Sequence, residues 1–272
     1  MKTTLLKAIG GICVLLLGFG SVATQAQTGI SISPPRVYFV IGPGQSQTEK
    51  VVVSNPSQDY PLELAVSFED WAYTTYGDNQ MFQSGTLATS CAAWISVPEA
   101  YFSLAPGESK EIDVQITVPA AYRNDTVPVH TAILYVTQLN PRDGVDQQGA
   151  NIRIAVRTGI KLYQRLPGSF HPNLEITNFR YENVEIPRVI LDFENDGDVW
   201  ADGQISLELL NQATGTKTVL PDVLFYSMPG DQRQQYLELP EKLEAGKYVA
   251  TAIVNYGEAN TIKIAELEFS HD

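Results

Sequence analysis

Residues 151–165 read Asn151-Ile152-Arg153-Ile154-Ala155-Val156-Arg157-Thr158-Gly159-Ile160-Lys161-Leu162-Tyr163-Gln164-Arg165. Ile152, Ile154 and Val156 fall on every second position. Side chains alternate across a strand, so the three share one face. Their β-branched side chains favour the pleated state. Arg153, Arg157, Lys161 and Arg165 recur every four residues and, in an unbroken strand, share the opposite face. No acid interrupts them, which makes a cationic strip in a chain of formal net charge -13. Two readings stay open. In the plainer one this is the last strand of a sandwich, its apolar face on its own core and its cations solvated or guarding an edge. In the other the apolar row is an uncovered edge that pairs with another chain. The cations then form an anion site, holding a partner's carboxylate through charge-assisted hydrogen bonds.

On the N-terminal side of this stretch, short apolar runs recur at 36–41, 50–54, 62–68, 94–97, 112–118 and 131–138. Turn chemistry separates them, as in Gly42-Pro43-Gly44, Asn55-Pro56-Ser57 and Ala105-Pro106-Gly107. About seven strands with frequent turns is the pattern of an antiparallel sandwich. On the C-terminal side, Leu166-Pro167-Gly168-Ser169-Phe170-His171-Pro172 breaks any strand, and a second strand series runs from Leu174 to Phe269. Leu243-Glu244-Ala245-Gly246-Lys247-Tyr248 has the form of a tyrosine corner, in which a strand-initial Tyr bonds back to nearby backbone. No long segment has helical periodicity. The expected fold class is therefore all-β, with two tandem immunoglobulin-like sandwiches at 27–166 and 167–272.

Residues 1–26 read as a secretory signal peptide: Lys2 and Lys7, a short apolar stretch from Ile9 to Gly20, and Ala23-Thr24-Gln25-Ala26 before the cut. The apolar stretch is shorter than the ~20 residues that span a bilayer, so membrane insertion is not expected. Cleavage leaves 246 residues of net charge -15, since Lys2 and Lys7 leave with the peptide. That acidity argues against nucleic acid, whose phosphates require clustered Lys and Arg. Cys91 is then the one remaining thiol, so no internal disulfide is expected and the cores must hold themselves.

Catalytic chemistry finds little support. His130, His171 and His271 are scattered, and none has a metal-ligand neighbour at useful spacing. Cys91 lacks a local nucleophile signature and reads as a small buried hydrophobe. Asn195-Asp196-Gly197-Asp198 lacks the further spaced ligands of a calcium loop and reads as a hairpin turn. No cofactor and no metal are expected, and the chain reads as non-enzymatic.

The segment 152–163, and above all Ile160-Lys161-Leu162-Tyr163, resembles the last strand of the first domain in PapD-like periplasmic pilus chaperones. Pro35-Arg36-Val37-Tyr38-Phe39, Gln47–Val53, Ser54-Asn55-Pro56 and Phe102-Ser103-Leu104-Ala105-Pro106-Gly107-Glu108-Ser109 resemble other parts of that domain, in the same order. The resemblance covers most of residues 30–165. Residues 174–272 are closer to a generic adhesion-type immunoglobulin-like module. The resemblance implies two sandwiches at an angle with a cleft between them, and a periplasmic location. It implies a protein client, a pilin-like subunit lacking a strand, whose terminal carboxylate is gripped by Arg36 and Lys161. Ile152, Ile154 and Val156 would be inserted into that client as a donor strand. An outer-membrane usher is a second implied partner, and an open apolar edge also admits a self-capping dimer.

Two other readings remain. The chain would be a stacked module of a surface or secretion assembly, with Arg36 and Lys161 as plain interdomain charges. A sugar-binding sandwich would instead expose Trp71 and Tyr73 as a platform. The chaperone reading requires Ile152, Ile154 and Val156 to lie open to solvent, and Arg36 and Lys161 to converge.

Overall fold

The computed structural model describes residues 29–123, 126–145 and 148–272. The signal-peptide expectation lies outside the described residues. Twenty strands and one 3-10 turn (Ala92–Trp94) make up the regular structure of the described residues.

The first half contains β1 (Ser31–Ser33), β2 (Arg36–Val40), β3 (Ser46–Ser54), β4 (Leu62–Tyr73), β5 (Asn79–Gln83) and β6 (Ile95–Ser96). It continues with β7 (Tyr101–Leu104), β8 (Ser109–Thr117), β9 (Val129–Gln138), β10 (Arg142–Val145), β11 (Asn151–Ile154) and β12 (Arg157–Arg165). One sheet runs β1-β3-β8-β6; the facing sheet runs β2-β12-β9-β4-β5, with β7 also on β4. Alternation along these strands drives the packing. On β8, Ile112, Val114 and Ile116 point inward between exposed polar residues. They meet Leu64, Leu134, Val136, Ile160 and Leu162 of the other sheet in one core. Cys91 is fully buried in that core, and burial pushes its thiol well above the usual range, so it behaves as an apolar side chain.

The second half contains β13 (Leu174–Glu182), β14 (Arg188–Asn195), β15 (Ala201–Asn211), β16 (Lys217–Val219), β17 (Val223–Ser227), β18 (Gln232–Glu238), β19 (Gly246–Tyr256) and β20 (Thr261–His271). The sheet β13-β14-β18 faces β16-β15-β19-β20, with β17 on β15. A separate core gathers Leu191, Phe193, Ile205, Leu207, Phe225, Ala252 and Val254. Tyr248 donates its hydroxyl to the Glu244 carbonyl at 2.8 Å, closing the tyrosine corner that its sequence context suggests. Asn195 turns its side chain inward, donating to the Val199 carbonyl and accepting from the Gly197 amide, which makes a structural turn of Asn195–Asp198.

Both halves are immunoglobulin-like sandwiches, and the chain passes between them from Arg165 to Leu174. Where they meet, a third apolar cluster forms from Trp71, Ile133 and Tyr163, with Trp200 and Met228 of the second sandwich against it.

Candidate functional site

Two features of the first sandwich project beyond its own core, and both lie on the ribbon formed by β11 and β12. The ribbon begins inside. β12 pairs antiparallel with β9 and parallel with β2, and its even-numbered residues Ile160 and Leu162 are 1% and 0% exposed. Toward the N-terminus the ladder breaks at Ala155-Val156, and the chain continues as β11, which pairs with β10 alone. The same alternation carries on. Ile154 is 48% exposed and Ile152 37% exposed. Across from them on β10 stand Gly144, opposite Ile152 with no side chain to lay over it, and Arg142, opposite Ile154.

Val156 departs from the expected exposure. It is half-buried and packs on the rim of the first core, because it sits at the break where the facing sheet still reaches it. The open apolar row is therefore Ile152 and Ile154, with Val156 as its root. The break also divides the cationic row. Arg153 lies on the outlying hairpin, paired loosely with Asp143 at 3.7 Å; Arg157, Lys161 and Arg165 stay on the sheet.

These cations have different fates. Arg157 pairs with Glu69 at 2.7 Å over the Tyr135 ring. Arg165 stacks over Phe170. Lys161 and Arg36 are direct register partners across the parallel β12–β2 pair. Among the described residues neither has a carboxylate within ion-pair distance. The Lys161 ammonium donates instead to the Tyr73 hydroxyl at 2.9 Å and to Asn79 Oδ1 at 2.6 Å. It lies 3.8 Å from the centre of the Trp71 ring and 4.0 Å from that of Tyr73. The Arg36 guanidinium stacks 3.9 Å over Tyr226 of the second sandwich.

Burial, aided by Arg36 and Arg233, draws the Lys161 pKa down to about 7; Asp231 opposes this. Burial likewise pushes the Tyr73 and Tyr163 hydroxyls above their usual range, so both are neutral and cancel none of the positive charge. Arg36, Tyr38, Tyr73, Tyr163, Trp200 and Tyr226 line a crevice of about 10 Å³ between the sandwiches. That is room for about one water molecule.

The site gathers three basic side chains, Arg36, Lys161 and Arg233, with two carboxyls near them: Asp202, which lines the crevice, and Asp231, whose affinity for its proton is raised by burial. Burial disfavours the charged form of Lys161, and an anion placed beside it would restore that charge. A carboxylate is the matching chemistry. Arg233 and Asn79 carry no motif that would single them out in the sequence, and Tyr73 stands out there only as part of an aromatic platform; all three reach the site through tertiary contacts. Trp71 is 2% exposed with its indole N–H on the Ala132 carbonyl, and Tyr73 is half-buried, so neither forms a sugar platform. No cluster of His, Cys, Asp and Glu suited to a metal occurs among the described residues.

No protein-family model matches the sequence, and no curated protein matches it. Among solved structures, the chain is similar to the YadV chaperone, with 14% identity, a TM-score of 0.46, and 88% of this chain and 99% of that one aligned. It is similar to the class 5 fimbriae chaperone CfaA, with 12% identity, a TM-score of 0.42, and 89% and 98% aligned. It is also similar to the E. coli chaperone DraB, with 17% identity, a TM-score of 0.43, and 90% and 98% aligned.

Proposed function

We propose that this chain is a periplasmic, non-enzymatic chaperone for pilus, fimbrial or related surface-assembly subunits, acting by strand donation with carboxylate anchoring. The observation that carries the reading is the continuity of one ribbon. Its covered half bears Lys161 beside Arg36, and its uncovered half offers Ile152 and Ile154 along an edge that pairs with no other strand among the described residues. A subunit missing a strand exposes a groove and two unpaired edges, which invites aggregation. An added strand supplies main-chain hydrogen bonds, and alternate side chains fill the groove. Full burial of an Ile is worth ~1.5–3 kcal/mol, so covering these two half-open side chains contributes about 1 kcal/mol each before ordering costs. The carboxylate at Arg36 and Lys161 sets the register, without which a period-two strand slips and presents its polar face. An outer-membrane usher and a self-capped dimer belong to the same reading.

The test is copurification from the periplasm, with mass spectrometry of what is bound. The wild-type chain is expected to retain a defined client. Lys161→Ala is expected to lose it while keeping the wild-type circular dichroism and melting temperature. Normal client yield in Lys161→Ala would remove the anchor from the mechanism.

A further inference from the structure

Building on the carboxylate-anchor reading, we infer that Asn79 is an internal competitor for the anchor: its amide oxygen holds the Lys161 ammonium in the empty protein, and a client carboxylate enters by displacing it. The geometry is specific. An ammonium has three N–H donors. On Lys161, Asn79 Oδ1 and the Tyr73 hydroxyl take two of them, and the Trp71 and Tyr73 rings approach within 4.0 Å. Asn79 supplies the shorter bond and is exposed, so it is the partner that an incoming group meets and can move.

Asn79 is held in position from both sides. It opens β5, opposite Tyr73 in the β4–β5 ladder. The turn between those strands is clasped to β18 of the second sandwich. The Gln234 amide donates to the Thr75 carbonyl at 2.8 Å, and Tyr76 stacks on Tyr236 at 5.6 Å. Gly77, at φ +92°, lets the Arg233 guanidinium lie against its backbone where any side chain would collide. These contacts fix the turn against the second sandwich and so position Asn79 beside Lys161.

The chemistry of the residue matters as much as its position. A neutral amide oxygen satisfies the ammonium without neutralising it. A carboxylate adds a full opposite charge to the same donor, so its bond to the ammonium is the stronger and it wins the exchange. An acid at position 79 would win permanently.

Three variants of the full chain decide the matter. Each is titrated by calorimetry with a short peptide of alternating valine and threonine ending in a free carboxylate, and with its C-terminal amide. Asn79→Asp is expected to weaken binding of the free-acid peptide about tenfold or more, and Asn79→Ala to tighten it about threefold. The amide is expected to bind all three chains alike. Lys161→Ala, the control, is expected to lose the preference for the acid. If Lys161→Ala loses that preference while Asn79→Asp binds the acid like the wild type, or Asn79→Ala binds it more weakly, the competitor role falls and the anchor stands. If Lys161→Ala keeps the preference, the anchor falls and Asn79's role with it.

Discussion

β11 and β12 are two halves of one ribbon with the same alternation and opposite surroundings. On β12 the even residues sink into a sandwich core, with Leu162 and Ile160 sealed from solvent. On β11, Ile152 has Gly144 across from it and Ile154 has Arg142, and both isoleucines stay open to solvent. The opposite face differs in the same way: Lys161 is drawn down in pKa among aromatic rings, whereas Arg153 stands in solvent beside Asp143. The contrast teaches that a period-two pattern specifies which residues share a face, and says nothing about what covers that face. Covered, the pattern is a core strand. Uncovered, it is an apolar row open to solvent.

Substitutions along the ribbon can break that contrast. Leu162→Ala is expected to cost the isolated chain ~2–5 kcal/mol, read by urea unfolding, because it opens a cavity in a closed core. A loss below about 1 kcal/mol would mean that the covered half is not a core strand. The next effect lies on the other face. A carboxylate favours charged Lys161, so its binding is expected to be strongest below pH 7. It should weaken by up to about tenfold per pH unit above that, as the free ammonium gives up its proton. Calorimetric affinities that stay flat from pH 6 to pH 9 would place Lys161 outside the binding step. Val156→Ala, at the break, is expected to cost about 1 kcal/mol, between the two halves. Ile154→Thr keeps a β-branched residue at an open position. It is expected to shift stability by less than about 0.5 kcal/mol while lowering client capture in the copurification assay. A large stability loss there would show the ledge to be covered in solution.

The two strand series, the break between them and the tyrosine corner were legible because each depends on residues close in sequence: alternation, prolines with glycine, and one hydroxyl reaching four residues back. The ladder break at Ala155-Val156 was not. It depends on where the facing sheet ends, which no local pattern records, and so Val156 is half-buried where the alternation alone sets it beside Ile154. Asn79 and Tyr73 touch Lys161 from more than 80 residues away, and Arg233 arrives from the other sandwich. Asn79, read locally, is turn chemistry, since Tyr76-Gly77-Asp78-Asn79 has the composition of a tight turn. Its bond to an ammonium exists only after β5, β4, β9 and β12 are laid in order in one sheet.

The parallel pairing of β2 with β12 has a consequence for timing. Position 36 comes near the start of the first sandwich and position 161 near its end, yet they are neighbours in the finished sheet. Bringing them together closes a long loop, and contacts of that kind slow folding. The Arg36–Lys161 pair therefore spans nearly the whole first sandwich, and a chain cut before β12 lacks one of its two cations.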